Sequence, residues 1–156
     1  MGEDKIVQVM SKPVRTVESN EKLSTALAVM DKHDIGNVVV MEGQKLVGIV
    51  TERDVVRQML KDSRVLQEPV KQGMSQPVIT ASPDSTVQEA LEIMLKNNIR
   101  QLPVVQRSGL VGIVTDKDLM RSVLRVSYEK LSRPNLRELE IEAARIAAQI
   151  VTLLNL

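Results

Sequence analysis

The sequence predicts an α/β (α+β) fold: two tandem copies of one β-α-β-β-α unit packed as a pseudo-two-fold pair, followed by a C-terminal helix. Three observations carry this. The heptapeptide Gly48-Ile49-Val50-Thr51-Glu52-Arg53-Asp54 returns 64 residues later as Gly112-Ile113-Val114-Thr115-Asp116-Lys117-Asp118. Sliding the chain on itself by that offset matches 20 of 51 positions between Met10–Leu60 and Met74–Leu124, with no gap. Within each copy, apolar residues at helical spacing give way to continuous apolar runs of strand length. A repeat of this size is one supersecondary unit, and it sets the frame for everything else.

Each copy opens on Met-Ser-x-Pro-Val, at Met10 and at Met74. In copy one, Val14–Val17 reads as a short β segment and Ser19-Asn20-Glu21 as the cap of a helix over Lys22–Lys32, with Leu23, Ala26, Leu27 and Met30 on its apolar face. Asn37–Met41 and Lys45–Val50 read as strands around the turn Glu42-Gly43-Gln44, the second apolar enough for burial on both faces. Val55–Lys61 continues as a helix. Copy two repeats this with a Ser82-Pro83-Asp84-Ser85 cap, a helix over Val87–Lys96, strands Gln101–Val105 and Leu110–Val114 around Arg107-Ser108-Gly109, and a helix over Lys117–Val126. The repeats are placed at 1–63 and 74–128, with a linker at 64–73, a lead-in at Gly2–Val9 read as extended, and an extension at 129–156. From Arg133, with Pro134 in a first turn, the chain reads as one long helix. Leu136, Leu139, Ala143, Ile146, Ile150 and Leu153 form one apolar seam, and Ile141, Ala144, Ala148 and Val151 a second. Packing on its own module and dimer formation both stay open for this helix.

Composition narrows the function. The 156 residues carry 21 basic and 20 acidic side chains mixed throughout, a net charge of +1, so no strong field favours nucleic acid or an anionic membrane. There is no cysteine, so disulfides and thiolate chemistry are excluded. Tyr128 is the only aromatic residue, leaving an aliphatic, Met-filled core and no stacking platform. No apolar run approaches the ~20 residues of a membrane span, and the first residues lack the apolar core of a signal peptide. A cytoplasmic protein is expected. With one histidine, His33, placed at a helix end in solvent, and no nucleophile–base–orienter set, an enzyme is not expected.

The repeated turn has two readings that use the same geometry. Thr51 is an N-cap and Asp54 the acidic member of a capping box, which explains both residues without a ligand. Gly48 and Gly112 are less well explained, since glycine inside a strand often marks close approach. Alternatively, helix N-terminal amides and a threonine hydroxyl form a phosphate site, and a carboxylate one turn on accepts from a vicinal diol. Arg53 and Lys117 add positive charge there. The hydroxyl can serve as cap and switch partner when a ligand arrives.

These motifs, in this order and twice over, resemble the CBS domain, and the tandem resembles the CBS pair called a Bateman module, over about four-fifths of the chain. The resemblance implies a stand-alone sensor of an adenosine nucleotide (AMP, ADP or ATP). Asp54 and Asp118 would contact ribose, Thr51 and Thr115 phosphate. By motif the sites also take Thr16 and Gly36-Asn37-Val38 in copy one, and Thr80 and Arg100-Gln101-Leu102 in copy two. Arg100 has the uncharged Gly36 as its counterpart, so the two sites are expected to differ in anion affinity. Copy one also departs at Val39, where copy two has Pro103. Val14, Val38, Val50 and their mates would hold the adenine ring by aliphatic contact. The resemblance implies regulation without a required cofactor or metal, a homodimer, and a protein effector in trans, with binding between the copies shifting their packing. S-adenosylmethionine as ligand, or a structural oligomerisation unit with empty sites, are the alternatives.

Overall fold

The apolar spacing and turn residues build the elements of the computed structural model, which describes residues 4–131 and 136–154. They run α1 (Ile6–Val9), β1 (Thr16–Glu18), α2 (Leu23–His33), β2 (Asn37–Glu42), β3 (Lys45–Thr51), α3 (Glu52–Lys61), 3-10 turns at Ser63–Gln67 and Val70–Gln72, α4 (Val87–Asn97), β4 (Gln101–Gln106), β5 (Gly109–Thr115), α5 (Asp116–Leu131) and α6 (Leu136–Leu154). The fold is the mixed α+β arrangement expected, with a C-terminal helix. From α2 to β5 every boundary of copy two falls 64 residues after its mate, except that α5 outruns α3.

The chain divides into two compact units. One takes Pro13–Ile79 with Arg107–Val111. Its sheet has the order β1-β2-β3, with β1 parallel and β3 antiparallel to β2. Leu23, Ala26 and Met30 of α2 close over Val17, Val38, Val40 and Val50, and Val55 and Val70 complete the cluster. Fully burying a side chain such as Leu23 or Met30 is worth about 1.5–3 kcal/mol. α2 ends at Asp34 in the left-handed region (φ 51°, ψ 49°), a conformation that Asp and Asn tolerate better than other side chains. Asn98 does the same for α4 (φ 52°, ψ 48°).

The other unit takes the N-terminal segment as far as Lys12, Thr80–Gln106, and the chain from Gly112 on. Its sheet is only β4-β5, with Ala81 bridging Val104 in parallel where copy one has a strand. Proline explains the difference. Val39 donates its amide to Arg15 O (3.1 Å), whereas Pro103 has no amide to give. Among the described residues, the buried apolar side chains of this unit are aliphatic or Met, including Val87, Ala90, Leu91, Met94, Leu102, Val104, Val114 and Leu119.

Each unit is finished by an opening segment, and the two segments are 64 residues apart. Val70, fully buried, donates its amide to Glu21 O (2.7 Å), and Glu68 O accepts from Leu23 N (2.9 Å). In the other unit Ile6, also fully buried, donates to Ser85 O (2.8 Å), and Asp4 O accepts from Val87 N (3.0 Å). Thus the stretch 64–73 placed between the repeats is folded into the first-repeat unit, and the lead-in is not extended but carries α1.

Other expectations need correction. Ser19-Asn20-Glu21 does not cap α2. Its N-cap is Lys22 with no side-chain bond, because Glu68 O already accepts the first helical amide and Glu21 Oε2 accepts instead from Glu18 N (2.7 Å). In copy two the cap is Thr86 rather than Ser82–Ser85, with Thr86 and Glu89 forming a full capping box. α5 runs on to Leu131 instead of stopping near Val126. For the last helix, Arg133 and Pro134 lie outside the described residues, as do the side chains of Leu136 and Leu139. α6 packs on α4 and α5. Its first seam faces inward at Ile146, Ile150 and Leu153, although Ala143 is exposed; its second, Ile141, Ala144, Ala148 and Val151, lies in solvent.

Candidate functional site

β3 and β5 each end in threonine, and a helix starts on the next residue. Thr51 sits at φ −114°, ψ 161°, extended as an N-cap must be. Its Oγ1 accepts from Asp54 N (3.1 Å), and its own amide donates to Asp54 Oδ2 (3.0 Å). The box recurs in repeat two: Thr115 N donates to Asp118 Oδ2 (2.9 Å) and Asp118 N to Thr115 Oγ1 (3.3 Å). There the hydroxyl also donates to Asp118 Oδ2 (2.9 Å), and Arg121 stands 3.9 Å from Asp118 Oδ1. Capping is therefore what these four side chains do in this structure.

The next helical amide draws in the second set of candidates. Glu52 N donates to Gly36 O, and Asp116 N to Arg100 O, both at 3.0 Å. This fastens the residue before β2 or β4 beside the threonine turn. Asn37 then lies opposite Thr51 and Val38 opposite Val50 in the β2–β3 register. Thr16 joins the neighbouring strand opposite Val39. Thr80 precedes Ala81, whose amide donates to Pro103 O (3.0 Å). Thr16, Thr80, Gly36, Arg53, Arg100 and Lys117 are exposed; Asn37, Gln101, Thr51, Asp54, Thr115 and Asp118 are half-buried.

Two expectations change. Val38, Val50, Leu102 and Val114 are fully buried, and the first two belong to the hydrophobic cluster, so core packing takes these four of the side chains assigned to an adenine ring, while Val14 and Val78 stay half-buried. The glycines have a structural explanation as well. A Cβ on Gly48 would overlap Met74 Sδ, and one on Gly112 would overlap Met10 Sδ. The close approach is that of the opening methionine, held by paired bonds between Ile49 and Ser75 (3.3 and 2.8 Å) and between Ile113 and Ser11 (3.0 and 2.8 Å).

Repeat two also has a cavity of about 200 Å³ lined by Arg100, Asp116, Lys117, Met120, Leu153 and Leu154. It joins the two cations proposed for an anion, while Thr115 and Asp118 are not on its wall. Sequence reasoning missed the rest. Asp116 and Met120 are one turn apart on α5, a signal that was legible, but nothing local places Leu153 and Leu154 there.

His33 is the last residue of α2 and half-buried. Partial burial first, then the charges of Arg15 and Lys32, hold it below the ordinary imidazole value. Among the described residues no group of His, Asp and Glu could hold a metal ion, and no helix is long and apolar enough to cross a membrane.

A duplicated unit with a capped strand-to-helix turn in each copy is the architecture of a paired regulatory module. The chain belongs to the CBS-domain family, whose model matches residues 6–61 and 69–125. An uncharacterized 17.7 kDa protein of Acidianus ambivalens is 36% identical over 132 residues, covering 83% of this chain and 79% of its own. A putative signal-transduction protein with CBS domains from Burkholderia ambifaria superposes with a TM-score of 0.73 at 29% identity, over 78% of this chain and 95% of its own. The CBS-domain pair of protein MJ0100, solved in complex with 5′-methylthioadenosine and S-adenosyl-L-methionine, gives 0.69 at 33% identity, over 77% and 95%.

Proposed function

We propose that this CBS pair is a non-enzymatic sensor of adenosine nucleotides (AMP, ADP or ATP) that passes occupancy to a protein effector in trans, working as a homodimer. The observation that carries the reading is the duplicated turn itself. Twice, a threonine hydroxyl and an Asp carboxylate at a helix start meet beside the residue before a strand, at Gly36 and at Arg100. In this reading Thr51 and Thr115 meet phosphate, Asp54 and Asp118 meet ribose, and Thr16, Asn37, Val38, Thr80, Gln101 and Leu102 line the sites, the buried two through their main chain. Arg53, Arg100 and Lys117 supply charge. A half-buried carboxylate already taking a main-chain amide is held rigidly, so a diol meets a positioned acceptor.

A second reading is favoured in repeat one. Gly36 brings no cation there, so a ligand without phosphate, such as S-adenosylmethionine or 5′-methylthioadenosine, fits that copy at least as well. The MJ0100 pair, which carries both, is the neighbour that supports it.

Thermal unfolding with AMP, ADP, ATP, adenosine and S-adenosylmethionine separates these, each measured against Asp54→Ala and Asp118→Ala on their own ligand-free baselines. At 100 times its dissociation constant a ligand stabilises by about 2.7 kcal/mol, or about 5–10 °C for a chain of this size. A shift with phosphorylated nucleotides, lost in one variant, establishes the sensor and its working site. A shift with S-adenosylmethionine alone overturns the phosphate assignments. No shift at all leaves the turns as helix caps and makes an oligomerisation unit the better reading.

A further inference from the structure

We propose that docking of the end of α6 and seating of a ligand's anionic group at Arg100 and Lys117 exclude one another, so that α6 reports occupancy of the repeat-two site. This rests on the anion-site reading above. The cavity holding these two cations is about 200 Å³, below the ~300–1,000 Å³ of pockets that enclose a whole ligand. It has room for a phosphate group, and Leu153 and Leu154 form part of its wall, so the end of α6 crowds the space beside that group.

Electrostatics opposes joint occupancy too. Leu153 and Leu154 end α6, where the free carbonyls concentrate negative partial charge, and the last turn has no basic residue of its own. Arg100 and Lys117 line the same cavity, and an anion brought between them faces that negative end.

The grip of α6 is suited to release. Among its described residues Leu153 is the only buried apolar side chain, so the anchor of the helix is also the wall of the cavity. The rest of the inward face is partly polar. Glu142 is buried, held by Arg145 (2.8 Å) and Ser127 Oγ (3.3 Å), and Gln149 Oε1 is buried with no hydrogen-bond partner. Meanwhile Ile141 is 65% exposed and Val151 55% exposed on the outward face. The docked helix thus leaves an acceptor unpaired inside and an apolar stripe outside, and undocking relieves the first of these.

The test uses the full chain in an Asp54→Ala background, with AMP as probe and adenosine as the control lacking phosphate. Calorimetry gives affinity, and amide hydrogen exchange follows residues 141–154. AMP is expected to speed exchange across α6 severalfold while adenosine leaves it unchanged. By reciprocity Leu153→Ala should tighten AMP binding about tenfold, and Gln149→Leu, which removes the unpaired acceptor, should weaken it. AMP bound by Leu153→Ala but not by the parent is the same coupling at its limit. If AMP binds while α6 exchange stays unchanged or slows, or if adenosine loosens α6 equally, the coupling is overturned and the site survives. If AMP binds neither the parent nor either variant, site and coupling fall together. Gln149→Leu keeps the sign testable should Leu153→Ala not fold.

Discussion

In repeat one the strand-to-helix turn stands beside Gly36; in repeat two the same turn stands beside Arg100, and the end of α6 lines a cavity with it. The turns themselves are near-copies, down to a 3.0 Å bond from the first helical amide in both. Whatever distinguishes the two in function therefore comes from what surrounds them. Duplication has kept the turn, and beside it the copies differ in Gly36 against Arg100 and in the added helix.

The comparison can be broken most sharply in the core. Met30 and Met94 are equivalent and almost completely buried. Truncating either to Ala should cost about 2–5 kcal/mol in urea unfolding, and unequal losses would show that the two scaffolds no longer share one packing. Next come the strand glycines. Gly48→Val and Gly112→Val drive a side chain into Met74 or Met10, costing about 1–3 kcal/mol by overpacking. Pairing each with Met74→Ala or Met10→Ala should recover part of the loss, and recovery by the wrong methionine would sink the assignment of partners.

Third, the opening segments differ in charge chemistry. Asp4 accepts from Ser122 Oγ (2.7 Å) and from Arg125 (2.6 Å). The Ser122 hydroxyl first, then Arg125, hold its carboxyl below the usual range against opposing desolvation. A carboxyl lowered in the folded state stabilises above its unfolded pKa of ~3.9, and that contribution disappears as pH falls through the folded value. Asp4→Asn should therefore lose about 1–2 kcal/mol at neutral pH, discounted because Arg125 is more than half exposed, and almost nothing in strong acid. Melting temperatures from pH 7 down to 2 show whether the two curves converge.

The smallest effect should be the most instructive. Gly36 has no positive φ, and a Cβ there would meet Glu52 Oε2 at an ordinary 3.6 Å, so a side chain fits. Gly36→Arg should raise the AMP affinity of repeat one about two- to fivefold, the range of an exposed charge contact. Measured in an Asp118→Ala background, an unchanged affinity would remove Arg100's side chain as the source of the asymmetry.

Periodicity and the 64-residue offset made the scaffold legible, because helical and strand spacings are local and were written twice. Thr51 with Asp54 and Thr115 with Asp118 were legible for the same reason, as three-residue relations along the chain. What escaped reading was non-local. The α2 cap was misread because Glu68, far along the chain, supplies a carbonyl that no local pattern announces. The glycines pointed correctly to close approach, but the visitor is a methionine of the opening segment. Leu153 and Leu154 reach the repeat-two cavity only through the packing of α6, and spacing along one helix does not reveal which residues lie beyond its end.

The placement of Asp4 has a consequence for synthesis on the ribosome. The unit from Pro13 to Ile79 needs little beyond one uninterrupted stretch of chain. The other joins Asp4 to Ser122 across 118 residues. Its first dozen residues emerge early and must wait, Ile6 for Ser85 and the Asp4 carboxylate for Ser122 on α5. Closing so long a loop is entropically slow, and contacts of large sequence separation delay folding. The first-repeat unit should consequently close during translation, while the one containing α6 closes last.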